Sequence, residues 1–213
     1  MTTSGRGPRA LLSGHASQVA PLLLGSVIQA DGVVVRLTEV EAYGGVGEDA
    51  GSHAFRRRTP RNATMFGSPG HLYQYFTYGM HWMLNCVTCP EGTAGAVLLR
   101  AGEVIEGIGI ARANRPNARS DRDLARGPAL LARALGLHRP GLDGVDLLAP
   151  DSPVRLLLRT AHDAPPMTVS TRTGVAGPGA PTPWRFHITG DPTVSPHRPA
   201  HERDASTPKR QPP

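Results

Sequence analysis

Leu72-Tyr-Gln-Tyr-Phe-Thr-Tyr-Gly-Met-His-Trp-Met-Leu-Asn85 reads as two aromatic-rich strands joined by a tight turn at Tyr78-Gly79. Of that pair, only Gly79 takes a positive φ at no steric cost. A tyrosine at such a tip is badly placed for a core and well placed to insert into another molecule. A DNA duplex is one structure into which proteins drive wedges of this kind. Side-chain alternation puts Tyr73, Tyr75 and Thr77 on one face and Gln74, Phe76 and Tyr78 on the other. Tyr75 and Tyr78 are therefore free to serve different purposes.

Upstream, Asp31-Gly32 is a strong hairpin signal between the strands Ser26–Gln29 and Val33–Tyr43. A strict period of two puts Val33, Val35, Leu37, Glu39, Glu41 and Tyr43 on one face. Three apolar residues followed by two acids suggest a strand that leaves the core and enters a cleft. Glu41 is the candidate base, because a carboxylate in a cleft can polarise water for attack on an anomeric carbon. Glu39 shares the face and is its rival. Tyr43, His53 and Tyr75 can wall a pocket for a flat ring, since every nucleobase has a π-face. Together these residues suggest an enzyme that pushes a base out of DNA and hydrolyses its bond to the sugar.

Arg56, Arg57, Arg58 and Arg61 follow His53 within a long loop over residues 44–70. Phosphate contact is one reading of them, and a solvated charged loop is the other. Arg100 ends the apolar strand Ala96–Leu99, aimed either into a site or off a sheet edge.

The chain has 213 residues and a formal net charge of +6, which suits a polyanionic partner. Lys209 is the only lysine, and it lies in the tail. The folded region has no lysine to form a Schiff base with a sugar aldehyde, so a glycosylase built from this chain would use water as its nucleophile. Cys86 and Cys89, with His81 nearby, raise a metal or redox reading. A single C-x2-C lacks the second pair of a structural zinc site, and Cys86 continues an apolar strand as a small hydrophobe. No apolar run is long enough to span a membrane, and no signal-peptide stretch opens the chain, so an intracellular protein without a membrane partner is expected.

Further along, helices are expected over Ser17–Leu24, Glu103–Ala113 and Pro128–Leu137. Short strands are expected near Val154–Leu158, Met167–Ser170 and Trp184–Thr189. The expected fold class is α+β, one domain over residues 15–195. Disordered ends are expected over residues 1–14 and over 196–213, where Pro, His and charge accumulate from Pro192 onward.

Several runs in series carry a resemblance: Glu39-Val-Glu-Ala-Tyr43, Ser52-His53, Arg58-Thr-Pro-Arg-Asn62, Met65-Phe66, Pro69-Gly-His-Leu-Tyr73, Tyr75-Phe-Thr-Tyr-Gly-Met80 and Leu98-Leu-Arg100. Gly127-Pro128, Trp184-Arg-Phe186 and Gly190-Asp-Pro192 extend it. The chain resembles the 3-methyladenine DNA glycosylase family, of the alkyladenine or methylpurine type, over roughly residues 15–195. That resemblance implies a single compact domain with a curved, mainly antiparallel sheet, flanking helices and a projecting hairpin. It implies Glu41 as the base that activates water and Arg100 as the group that helps hold both. Tyr43, His53 and Tyr75 would sandwich a flipped base, and Asn85 would crowd the purine 2-position against guanine. Tyr78 would fill the gap left in the duplex. The implied partner is double-stranded DNA containing damaged purines, bound by a monomer, with no cofactor and no metal. The Gly44–Ser52 spacer is longer than the family's, so Ser52-His53 alone aligns His53. Alternatives from other classes are a non-catalytic damaged-DNA-binding protein and a hydrolase of free nucleosides.

Overall fold

A computed structural model describes residues 7–200. Two N-terminal helices, α1 (Pro8–Leu12) and α2 (Ala16–Leu23), precede the hairpin β1 (Val27–Ala30) and β2 (Val33–Tyr43). The aromatic hairpin is β3 (Leu72–Thr77) and β4 (His81–Val87), followed by the long β5 (Ala96–Glu106). Then come α3 (Ile108–Asn114), β6 (Ala125–Arg126), α4 (Pro128–Ala134), β7 (Val154–Leu157), β8 (Met167–Ser170) and β9 (Arg185–Ile188). Among the described residues the strands form one nine-stranded sheet in the order β3-β4-β5-β2-β1-β7, with β6 on β5 and the β8–β9 pair on β2. Every pairing is antiparallel. This is the expected α+β architecture, with helices packed against one face of the sheet.

The Asp31-Gly32 turn forms as its residue types demand, with φ of 47° and 78°. It feeds β2, the strand that organises the molecule. One edge of β2 pairs with β5 along its length. The other pairs with β1 through Val33–Arg36 and then with β9 through Glu39–Glu41. At the change of neighbour the ladder is irregular. Leu37 faces Gly102 and Glu39 faces Ala101, leaving Thr38 as an extra residue on β2. Val40 then faces Leu99, leaving Arg100 as an extra residue on β5. Bulges bend strands and re-aim side chains. Val33, Val35 and Leu37 belong to the core before the bulge, and Val40 and Ala42 belong to it after. Glu39, Glu41 and Tyr43 therefore lie on the face opposite Val33, Val35 and Leu37, which corrects the strict period of two.

The core itself is aliphatic. Val19, Ala20 and Leu23 of α2, Leu131 and Leu135 around α4, and the inward residues of β2 and β5 are all buried in it. Each fully buried Val or Leu contributes about 1.5–3 kcal/mol.

Three expectations are corrected by the structure. Residues 103–106 continue β5 and do not start a helix, because Val34 and Val35 pair with Glu106 and Val104. The chain then turns at Gly107 (φ 73°), where a Cβ would come within 2.1 Å of the Gly32 carbonyl oxygen, and α3 begins. At the N-terminus, Pro8–Leu12 is helical: Leu12 is buried and Arg9 pairs with Asp146 at 2.6 Å, so the expected disorder through residue 14 does not hold there. At the other end, Thr193 and Ser195 are buried, and the Gly174 N–H donates to the Arg198 carbonyl at 3.0 Å. The packed chain thus passes the point where composition turns tail-like. Residues 1–6 and 201–213, including Lys209, lie outside the described residues.

Candidate active site

A cleft of about 430 Å³ opens on the face to which the bulge turns Glu39, Glu41 and Tyr43. Its wall includes Tyr43, His53, Tyr73, Tyr75, Tyr78, Asn85, Arg100, Pro128 and the loop Thr173–Ala176. Its size is within the usual range for small-ligand sites. Arg100 and Leu98 reach it from β5, Tyr73, Tyr75 and Asn85 from the hairpin, and His53 from the long loop.

Three rings form one aromatic wall. His53 lies 4.6 Å from Tyr75 between ring centroids at 70°, and Tyr73 lies 5.3 Å from Tyr75. The His53 Nδ1 is 2.9 Å from the Tyr73 hydroxyl, and Asn62 Nδ2 donates to the His53 carbonyl at 2.8 Å. Partial burial, and secondarily Arg61, lower the His53 pKa, favouring a neutral imidazole. Burial, with Glu41 next, pushes the Tyr75 phenol up to about 12, so that wall stays uncharged. Asn85 pairs with Tyr73 across the hairpin and donates its amide to the Tyr73 carbonyl at 2.9 Å. That bond fixes the rotamer of a buried side chain on the cleft wall.

At the hairpin tip both Tyr78 and Gly79 are left-handed, with φ of 53° and 65°, and the Met80 N–H closes the turn on the Thr77 carbonyl. A non-glycine residue there costs about 1–2 kcal/mol. The left-handed residue also breaks the strand alternation, so Tyr78 rims the same cleft as Tyr75. Its side chain is 82% exposed, beside Met80 at 59%.

Glu41 does not face the cleft openly; it is wholly buried just behind the wall. Its Oε2 accepts from the Tyr43 hydroxyl at 2.9 Å and Arg100 Nη1 at 3.1 Å, and its Oε1 accepts from the Thr173 N–H at 2.6 Å. Each of those three donors belongs to a residue that lines the cleft. Burial, and then Glu41 itself, raise the Tyr43 pKa well above 10, which keeps the phenol a donor.

Glu39, the rival, is held by partners of which Arg185 and Ser195 lie away from the cleft wall. Arg100 Nε donates to its Oε1 at 2.9 Å, Arg185 Nε to the same oxygen at 2.7 Å, and the Ser195 N–H to Oε2 at 2.7 Å. Burial alone would raise its pKa, but Arg100, the Ser195 amide and Arg185 outweigh it and hold the carboxyl below its ordinary value. Arg100 therefore bridges a structural carboxylate and the candidate base.

Sequence reading missed four residues here. Arg172, 1% exposed, donates to both oxygens of Asp49 at 2.6 and 2.7 Å and to the carbonyls of Ala42 and Gly179. Its guanidinium lies 4.7 Å from the Tyr43 ring centroid and 5.5 Å from that of Trp184. It thus backs a cleft ring and fixes the loop that brings the Thr173 N–H to Glu41. Arg185 stood within a quoted motif without a role. No local pattern marks Asp49, Arg172 or Thr173, because their partners are remote in sequence.

Arg56, Arg57, Arg58 and Arg61 are exposed on the loop beside the cleft. Arg58 lies 5.7 Å from the Phe66 ring centroid, and Arg61 reaches the Phe76 carbonyl on the hairpin. Cys86 and Cys89 are free and buried, and burial pushes the Cys86 thiol up to about 12. Among the described residues no group of three or more His, Cys, Asp or Glu side chains is arranged to hold a metal ion, and no helix is long and apolar enough to cross a membrane.

The profile of the family described as Methylpurine-DNA glycosylase (MPG) matches residues 10–192. A protein of Streptomyces avermitilis is 53% identical over 198 residues, covering 91% of this chain and 89% of its own. One from Leifsonia xyli is 52% identical over 191 residues, with 85% and 87% covered. One from Burkholderia lata is 46% identical over 191 residues, with 88% and 90% covered. All three bear the provisional name 3-methyladenine DNA glycosylase.

Proposed function

Since the chain belongs to the methylpurine-DNA glycosylase family, we propose that it flips damaged purines out of duplex DNA and hydrolyses their N-glycosidic bond with an activated water. The observation that carries this reading is Glu41. It is a buried carboxylate gripped by three donors, one hydrogen bond behind a cleft walled by stackable rings.

The flipped base stacks among Tyr43, His53 and Tyr75. Extrusion costs a few kcal/mol, least for a damaged or mismatched base, which supplies part of the selectivity. Tyr78 fills the vacated stack, and its strained turn presents it to the duplex without rearrangement. Arg56, Arg57, Arg58 and Arg61 contact phosphates. Asn85, locked to Tyr73, presents a fixed amide to the purine edge.

In the chemical step the water oxygen bonds to C1′ as the C1′–N bond breaks. The electron pair of that bond leaves with the purine, and a water proton passes to Glu41. A purine alkylated at N3 or N7 carries positive charge and departs neutral without a proton donor. Glu41 also opposes the positive charge that develops on the sugar, from a buried position behind the cleft wall. Arg100, tied to Glu39 behind it, holds the carboxylate in place.

The test is base release from labelled duplexes, each with one 3-methyladenine, 7-methylguanine, hypoxanthine or 1,N6-ethenoadenine, processed with and without alkali. Release with strand breakage only after alkali is expected, and it identifies the lesion. Breakage without alkali contradicts a water nucleophile. Tight binding without release makes the chain a damaged-DNA-binding protein.

A further inference from the structure

Arg185 opens β9 and faces Glu41 directly across the ladder to β2. Among the described residues its guanidinium nevertheless makes no bond to Glu41. It leans along β2 to Glu39 instead, donating from Nε to Oε1 at 2.7 Å, and it is held there by Ser170 Oγ and the Ser195 carbonyl, each at 3.0 Å. Arg100 donates from Nε to the same Glu39 oxygen at 2.9 Å and from Nη1 to Glu41 Oε2 at 3.1 Å. Four charged side chains thus alternate in one line, Arg185, Glu39, Arg100 and Glu41, and all four are buried.

The signs decide what Arg185 does. Two guanidiniums and two carboxylates sum to zero, and buried charges persist when they are paired in this way. Without Arg185, both carboxylates would depend on Arg100 alone. Two carboxylates that share one cation titrate as a pair, and one of them takes up a proton more readily. With Arg185 committed to Glu39, the Arg100 charge is left to Glu41. Burial lowers the Arg100 pKa, and Glu41 first, then Glu39, outweigh it. Arg185 is not part of the cleft wall, so its influence on the site runs through this line.

We infer that Arg185 is a positioning residue for base release: by neutralising Glu39 it leaves Arg100 to serve Glu41. The inference rests on the glycosylase reading above. Arg185 touches no substrate atom and exchanges no proton. The other charged or titratable groups around the two carboxylates are Tyr43, Tyr75 and Arg172 toward Glu41, and His187 toward Glu39. Burial first, then Glu41, raises both phenols, whereas burial and then Arg185 lower His187.

Single-turnover base release is measured from about pH 5 to about pH 8 on a duplex methylated with dimethyl sulfate, whose cationic purines leave without a proton donor, so that the acidic limb of the profile follows the base alone. Binding to that duplex and the thermal midpoint accompany each profile. Arg185→Met gives the line one excess negative charge and should move the limb up by about one pH unit. Glu39→Gln gives it one excess positive charge and should move the limb down. The double variant Glu39→Gln/Arg185→Met is balanced again, and its limb should return to within about 0.3 pH unit of the wild type. Arg185→Lys keeps the charge and loses the contacts of the fork, so its midpoint should fall with the limb unmoved. A role in folding alone would lower midpoints without ordering the limbs by charge. If Arg185→Met does not fold, Glu39→Gln and the double variant carry the same comparison. The set is repeated with His187→Gln, which removes the histidine beside Glu39. An Arg185→Met limb at the wild-type position overturns the inference, as does one limb shared by Glu39→Gln and the double variant. Wild-type protein that binds the methylated duplex and releases no base overturns the glycosylase reading itself, and the role of Arg185 with it.

Discussion

The Tyr43 hydroxyl donates to Glu41 Oε2 across 2.9 Å, from two residues along the same face of one strand. The ring on the cleft wall and the carboxylate buried behind it are therefore tied into one unit. Loss of either acts on the other.

Tyr43→Phe separates the two contributions. The ring remains, and Glu41 loses one donor, so affinity for damaged duplex should hold within about twofold while the chemical step slows by roughly tenfold, a hydrogen bond to a charged group being worth about 1.5 kcal/mol. Single-turnover rates and binding isotherms on one duplex check it.

Glu41→Gln keeps the shape and removes the base. Turnover should be abolished and binding largely retained. Release at the wild-type rate would remove Glu41 from the mechanism.

Tyr78 is held left-handed at the hairpin tip. Tyr78→Gly relieves strain of about 1–2 kcal/mol, offset in part by the greater freedom of an unfolded glycine. The variant should be no less stable than the wild type, yet should retain flipped DNA poorly. Thermal melting and the dissociation rate from damaged duplex give the two halves, and unchanged dissociation would refute the wedge.

Arg172→Met leaves Asp49 buried without its partner. Breaking a buried ion pair from one side costs about 3–5 kcal/mol, which denaturant titration will resolve. Replacing both residues with apolar ones should cost far less.

Acid should weaken the fold through the same buried carboxylates. Burial would raise both Glu39 and Asp49, but Arg100, the Ser195 amide and Arg185 lower the first below 4.5, and Arg172 with two backbone amides lowers the second below 3.8. A carboxyl lowered on folding stabilises the protein above its unfolded pKa, and that stability is lost as pH falls through the folded pKa. Melting temperature should be flat from about pH 7 to about pH 5 and fall below that. Glu39→Gln should flatten the fall.

The residue patterns made the hairpins legible because Asp31-Gly32 and Tyr78-Gly79 carry their turn chemistry locally. Glu41, Tyr43, His53, Tyr75, Tyr78 and Arg100 were legible because ordered motifs hold them, and Asn85 because it closes the aromatic hairpin stretch; the fold brings all of them to one cleft or directly behind it. The bulge at Thr38 was not, since an inserted residue leaves no mark in an alternating pattern when both faces are buried. Residues 103–106 fell within the helix expected over Glu103–Ala113, and pairing with Val34 and Val35 on a remote strand overrode it. Asp49–Arg172 and Glu41–Thr173 join positions 123 and 132 residues apart, which no window of sequence can connect.

The paired bulges have a bearing on how this protein can change. Val40 and Leu99 face each other across the ladder, and each is the immediate chain neighbour of a group at the site, Glu41 and Arg100 respectively. The sheet is a single peptide layer thick there, with greasy interior on one side and reactive chemistry on the other. A methyl group added or removed at Val40 or Leu99 will move the carboxylate or the guanidinium behind it. A single-residue deletion near Thr38 would exchange the two sides altogether. Drift in the interior and drift in catalytic rate are thus one evolutionary variable along this stretch, and stabilising substitutions are best sought elsewhere in the chain.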